Sequence, residues 1–367
     1  MMTEPIPIVI PKGAARARTM LSPWRTRGVS AYILGVVLTL FYVCVYWFPD
    51  VLAVMVRPLD GLSTMLRGRA ADQWFLYGTI YTLAVLIMGV RMLRRDGHER
   101  YHRYRTLVLM AVQLFAAYLI PSMLALSGRG EFYFSYFWPL KPEVMFPSSM
   151  TAMMSSPDAL TAFMSWWSLA LLVIATPLLT YFYGKRWYCS WVCGCGALAE
   201  TAGDSFRHLS LSSDRSWKLE RMTIYPVFAI ITVITGLLWY EHANPNPALA
   251  EIASAANRIY GFVIGGLFSG VIGVGFYPLL GSRVWCRFGC PMAALLGILQ
   301  KGASRFRIEV NPSQCISCGN CTTYCEMGID VGSYAERGET IKRASCVGCG
   351  VCSSVCPRGV LRMTDDR

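Results

Sequence analysis

An α-helical membrane protein of about six transmembrane helices, followed by a small cysteine-rich α+β domain, is the fold class that this sequence predicts. Three observations predict it. Six long, nearly uncharged segments recur along the chain, the Lys/Arg content of the loops between them alternates, and the composition turns cysteine-rich beyond them. Apolar residues make up 54% and charged residues 15% of the 367 positions, against about a quarter charged in an ordinary soluble domain.

The apolar segments are 29–48, 74–90, 106–127, 159–183, 222–240 and 259–282. Each is long enough, or nearly so, to cross a hydrocarbon core of roughly 30 Å as a helix. Helices are the expected form because lipid cannot satisfy backbone polar groups. The fourth and sixth contain Pro177 and Pro278, where kinks are expected. Cys44, mid-segment, reads as a small apolar filler. The loops at 1–28, 91–105 and 184–221 carry seventeen Lys/Arg, and those at 49–73, 128–158 and 241–258 carry six. By the positive-inside rule both termini are cytoplasmic. The first segment is too long for a cleaved leader and reads as a retained span. The net charge of +12 is then assigned to inner loops facing membrane lipids, with no nucleic-acid partner.

Beyond the last span the chain reads CISCGNCTTYC at 315–325 and CVGCGVCSSVCP at 346–357. Each is Cys-x2-Cys-x2-Cys-x3-Cys, and each resembles the ligand run of bacterial two-cluster ferredoxins. That resemblance implies two [4Fe-4S] clusters. One is held by Cys315, Cys318, Cys321 and Cys356, and the other by Cys346, Cys349, Cys352 and Cys325. Zinc also accepts four thiolates, but it has no use for the duplicated third and fourth cysteines. A disulfide framework is disfavoured on the cytoplasmic side. Glu326 stands where the pattern has proline, and an acidic neighbour is expected to lower that cluster's potential. Arg307, Lys342, Arg343, Arg358 and Arg362 read as solvated surface, or as a docking face for an acidic redox partner.

An internal repeat precedes this tail. GKRWYCSWVC at 184–193 and GSRVWCRFGC at 281–290 share the pattern G-x-R-x-[YW]-C-x-[WF]-x-C. Corresponding positions at two span ends indicate duplication. A Cys-x3-Cys pair on one helix would put both sulfurs on one face. Cys189, Cys193, Cys286 and Cys290 together would offer four thiolates, enough for a third iron–sulfur cluster. The alternative is a pair of redox dithiols. Arg186 and Arg283 are placed to support anionic sulfur or to face lipid headgroups. Cys195 has no partner in the second copy.

Membrane helices, two Cys-x3-Cys motifs at helix ends and a two-cluster tail together resemble the NapH/NosR-type membrane polyferredoxins, over residues from about 159 to 367. Gly194 departs from the proline expected after the first motif, and the six spans exceed the four of smaller family members. The resemblance implies a bacterial inner-membrane protein and an electron-transfer subunit. Such a subunit would pass electrons between the quinone pool, or a cytoplasmic donor, and partner redox subunits of a complex. An accessory role, supplying electrons for maturation or reactivation of a metalloenzyme, is the alternative. The expected organisation is an N-terminal segment at 1–28, a helical membrane domain at 29–300 and a ferredoxin-like domain at 301–367. His98 and His102 read as solvated inner-loop residues, with proton shuttling near a quinone as the alternative. The aromatic loop FYFSYFWP at 132–139 reads as an interfacial belt. The methionine-rich MFPSSMTAMM at 145–154 reads as a membrane-dipping loop.

Overall fold

A computed structural model describes residues 28–364. The N-terminal segment expected at 1–28 therefore lies, Gly28 apart, outside the described residues. Among the described residues six helices are long and apolar enough to cross a membrane: Val29–Trp47, Gln73–Asp96, Arg100–Leu126, Ala159–Tyr183, Asp214–Ala243 and Pro247–Ile272. Their outward faces carry large apolar side chains without protein cover, such as Val29 (74% exposed) and Val233 (67%). Each such side chain would forfeit about 1.5–3 kcal/mol of burial in water; lipid removes that cost. The chain is a multi-pass membrane protein.

Short polar residues set the helix starts. Asp72 accepts a hydrogen bond from the Phe75 amide at 2.7 Å, Asp158 from Thr161 at 3.1 Å and Ser213 from Ser216 at 3.2 Å. These caps satisfy amide groups that a first helical turn leaves unpaired. The sixth helix begins at Pro247, well before the apolar stretch at 259. Asn246 caps it, accepting from Ala248 and Leu249, with Pro247 in the first position. Capping chemistry, which hydropathy does not register, decides this boundary. The same helix ends at Ile272, so Pro278 starts a separate short helix, Tyr277–Leu280, and kinks no span. Pro177 follows a π-helical turn at Leu171–Ala175 in the fourth helix. Pro226 lies inside the fifth.

The C-terminal region is α+β. An antiparallel pair joins β1 (Ile308–Val310) to β2 (Leu361–Met363), with Ile308 opposite Met363. Short helices at Asn320–Thr323, Val331–Arg337 and Val351–Ser354 complete it. Helix Pro291–Ala303 runs through the expected boundary at 300. One apolar core continues from Tyr188 and Cys189 through Met292 and Leu296 to Phe306, Val347 and Leu361. The cysteine-rich region is thereby packed on the ends of the membrane helices.

Candidate iron–sulfur sites

The tail cysteines sort into two sets of four. Cys315, Cys318, Cys321 and Cys356 line a cavity of about 30 Å³. Cys325, Cys346, Cys349 and Cys352 line a second, of about 20 Å³. The local sequence explains the wrapping. Gly319 (φ +79°) and Gly350 (φ +81°), each directly after the second cysteine of its run, take the left-handed conformation that turns the chain into a short helix. Those helices carry Cys321 and Cys352. Backbone donors meet the fourth cysteines: Ile329 N–H reaches Cys325 Sγ at 3.3 Å, and Val360 N–H reaches Cys356 Sγ at 3.4 Å. Burial pushes the Cys325 thiol up to about 11 and the Cys321 thiol up to about 12. Such thiols hold their protons unless a cation takes their place. Four convergent sulfurs with amide donors behind them fit a cubane cluster, and four thiolates match its four corners.

The duplicated motifs converge too. Cys189, Cys193, Cys286 and Cys290 are all buried in the shared core. Burial pushes Cys290 well above the ordinary thiol range, and negative charge on Cys286, Cys193 and Cys189 would push it further. Gly184 (φ 64°, ψ −171°) and Gly281 (φ 94°, ψ 169°) share one backbone conformation at the start of each copy. The pairs do not lie on one helix face. Cys189 ends the short helix Arg186–Cys189, and Cys193 is the N-cap residue of the next, Gly194–Glu200. Cys290 likewise precedes Pro291–Ala303. A helix break between the two cysteines replaces the expected i, i+4 spacing. Cys195 is half-buried. It lies two residues after Cys193, in the first turn of Gly194–Glu200.

A buried charge network joins the two regions. Arg283 Nη1 donates to the Cys189 carbonyl at 3.2 Å and approaches Cys286 Sγ at 3.7 Å. Its Nη2 meets Glu200 at 2.7 Å and Glu326 at 3.0 Å. Arg207 meets Glu200 at 3.0 Å and Glu326 at 3.4 Å, and its Nη1 lies 3.7 Å from Cys349 Sγ. Arg105 adds a third cation at 3.1 Å from Glu200. These arginines hold the Glu200 carboxyl well below the usual carboxylate range, against the opposing effect of complete burial. Glu200, Glu326 and Cys349 place ligand atoms within 4.8 Å of one another, but arginines already occupy that space.

Backbone contacts fix the docking. Tyr101 Oη donates to Gly348 O at 2.7 Å, Ser190 Oγ to Val347 O at 2.8 Å and Ser210 Oγ to Glu326 O at 2.7 Å. Gln300 Nε2 donates to Cys346 O at 2.9 Å. Arg105 donates to Cys349 O.

Several expectations are corrected. Neither Arg186 nor Arg283 faces headgroups, since both are buried. Arg186 lies over the rings of Tyr101, Tyr183 and Phe306 and donates to Met363 Sδ, so the two copies' arginines differ in task. His102 is 5% exposed, so it is no solvated loop residue. The 132–139 loop is not a surface belt: Tyr188 Oη donates to Ser135 O at 2.8 Å, and the buried Phe137 ring packs edge-on against Tyr188. It folds inward to the first cysteine motif. In the methionine-rich stretch Pro147–Met154 is helical. Glu200, Arg105 and Arg207 were not singled out from sequence. The available signal was a lone acid in the small-residue run GALAETAG, next to a cysteine motif.

Both cysteine regions also match known families. A 4Fe-4S dicluster domain family matches residues 308–363, and a 4Fe-4S binding domain family matches 165–212 and again 262–309. The second match, made twice, coincides with the duplication. The methylamine utilization ferredoxin-type protein MauN of Methylobacillus flagellatus is 29% identical over 40% of this chain and 50% of its own length. The ferredoxin-type protein NapH of Haemophilus influenzae is 29% identical over 42% of this chain and 54% of its own. The regulatory protein NosR of Stutzerimonas stutzeri is 26% identical over 40% of this chain and 20% of its own. The chain spans about half the length of the first two. No solved structure matches it. Fold, family matches and cysteine sites together define a membrane protein with iron–sulfur binding domains. Across these cysteine-bearing regions the chain is similar to the NapH/NosR-type ferredoxin-like membrane proteins.

Proposed function

We propose that this protein is a membrane-bound electron-transfer subunit working between the quinone pool, or a cytoplasmic donor, and a partner oxidoreductase. The observation that carries this reading is the buried path from Cys286 Sγ through Arg283, Glu200 or Glu326, and Arg207 to Cys349 Sγ. Cys315, Cys318, Cys321 and Cys356 would hold one cluster, and Cys325, Cys346, Cys349 and Cys352 a second. Cys189, Cys193, Cys286 and Cys290 would hold a third at the membrane edge. Bound iron–sulfur clusters supply one-electron redox steps. The protein's own part is to fix the sites rigidly, exclude water and set their electrostatics. Arginine N–H groups within reach of Cys286 and Cys349 favour added negative charge at both, while Glu200 and Glu326 keep the arginines in place. The hydrogen bonds to Val347, Gly348 and Cys349 hold one cluster loop against the membrane domain. Both termini are assigned to the cytoplasmic side by the loop charges.

The test uses anaerobically purified protein in lipid. A reduced short-chain quinol should bleach the visible iron–sulfur absorbance. Bleaching by dithionite alone would remove the quinone arm and leave a cytoplasmic donor. No bleaching by either would defeat the electron-transfer reading.

A further inference from the structure

An open groove of about 480 Å³ lies between the first turns of the fifth membrane helix and the cysteine-rich domain. It is separate from the cysteine cavities, yet its walls include Met327–Asp330, which follow Cys325, and Ala344–Ser345, which precede Cys346. Six cationic side chains line it against three carboxylates. Two of the carboxylates are already engaged. Glu220 pairs with the buried Arg287 at 3.3 Å, and Asp330 caps Val331–Arg337 and accepts from Thr322. Among the described residues Arg221, Lys301, Lys342 and Arg343 pair with no carboxylate. Arg221 and Arg343 each stack on Trp217, 5.1 Å from its ring centroid. Stacking orders a guanidinium through its plane and leaves its N–H edge available, the arrangement suited to a phosphate. The volume lies in the range of small-molecule sites and exceeds what a bare phosphate needs.

We propose that this groove binds a phosphate-bearing anion through Arg221, Lys342 and Arg343, with Trp217 holding the two arginines. The phosphate has two sources: the headgroup of an anionic phospholipid beside the fifth helix, or a soluble nucleotide.

The full-length protein in phosphatidylcholine nanodiscs is titrated in one arm with labelled phosphatidylglycerol and in the other with labelled ADP. Saturable binding of one probe is expected, weakened about tenfold in Arg221→Gln/Lys342→Gln, the loss of charge-assisted hydrogen bonds. Arg215→Gln, an exposed change on the same helix outside the groove, should bind as wild type. Arg221 and Lys342 are exposed, and an iron content equal to wild type verifies the fold. Lys342→Gln alone provides a second, milder variant. Phosphatidylglycerol binding assigns the lipid source, and ADP binding the soluble one. Absence of saturable binding in both arms, or equal losses in Arg215→Gln, would overturn the site.

Discussion

Arg283 and Glu326 lie 3.0 Å apart with both side chains fully buried. One belongs to the second membrane cysteine motif, and the other stands beside Cys325 in the tail. Their contact makes the two cysteine regions one structure. It also explains the acidic residue at the position where the ferredoxin pattern has proline: Glu326 answers a buried cation instead of shaping a turn.

Glu326→Leu strands Arg283 and Arg207 without part of their counter-charge. Breaking a buried pair from one side costs about 3–5 kcal/mol. The apparent unfolding temperature in detergent should fall accordingly. Adding Arg283→Met should cost less than the sum of the single changes, because the two residues share one interaction. Additive losses would show that the pair is not coupled.

Iron content separates the two readings of the membrane-edge thiols. Three cubanes require about twelve irons per chain and two require about eight. Wild type should hold about twelve, and Cys286→Ser about eight with a changed EPR spectrum. A wild-type value near eight would assign Cys189, Cys193, Cys286 and Cys290 to dithiol chemistry.

Arg207 approaches Cys349 Sγ at 3.7 Å. Arg207→Gln removes positive charge where reduction adds negative charge. A cluster bound through Cys349, as proposed, should titrate lower by about 60 mV, if about 1.4 kcal/mol of interaction is lost. A cluster bound through Cys315, as proposed, should not move. Equal shifts at both would point to a general loss of structure.

Gly194 has no Cβ, and one added there would run into Tyr136 Oη, with Gln113 Oε1 at 3.3 Å. Gly194→Ala should destabilise by about 1–3 kcal/mol through overpacking. Tyr136→Phe, which removes the hydroxyl, should restore most of that in the double variant. Failure of the rescue would place the strain elsewhere.

Asp158 supplies the pH-sensitive cap of the fourth membrane helix. Arg129 grips it at 2.7 and 2.9 Å. That ion pair, with the Thr161 hydroxyl and amide, holds its carboxyl below the ordinary value of 3.8. A depressed folded value means the stabilisation is complete above 3.8 and is lost as pH falls below it. Hydrogen exchange at the start of Ala159–Tyr183 should accelerate with acid, and Asp158→Asn should remove that dependence. Identical pH profiles for the two proteins would rule the cap out as its source.

Much was legible because its physics is local. A transmembrane helix writes itself as a run of apolar residues, and the six runs became six helices. Cysteine spacing marked every sulfur that faces the two tail cavities. Helix limits drifted where a cap outweighed hydropathy, as Asn246 does for the sixth helix.

The sequence by itself determined a helical membrane chain, two cysteine runs and a duplicated motif, since each is a pattern among near neighbours. Only the tertiary structure decided that Glu200, Glu326, Arg105, Arg207 and Arg283 meet. Arg105, Arg283 and Glu326 are distant in the chain from one another and from the Glu200–Arg207 segment, and a buried charge finds its partner by three-dimensional packing. The same holds for the 132–139 loop, whose aromatic residues fit a membrane surface by composition but are drawn inward by Tyr188.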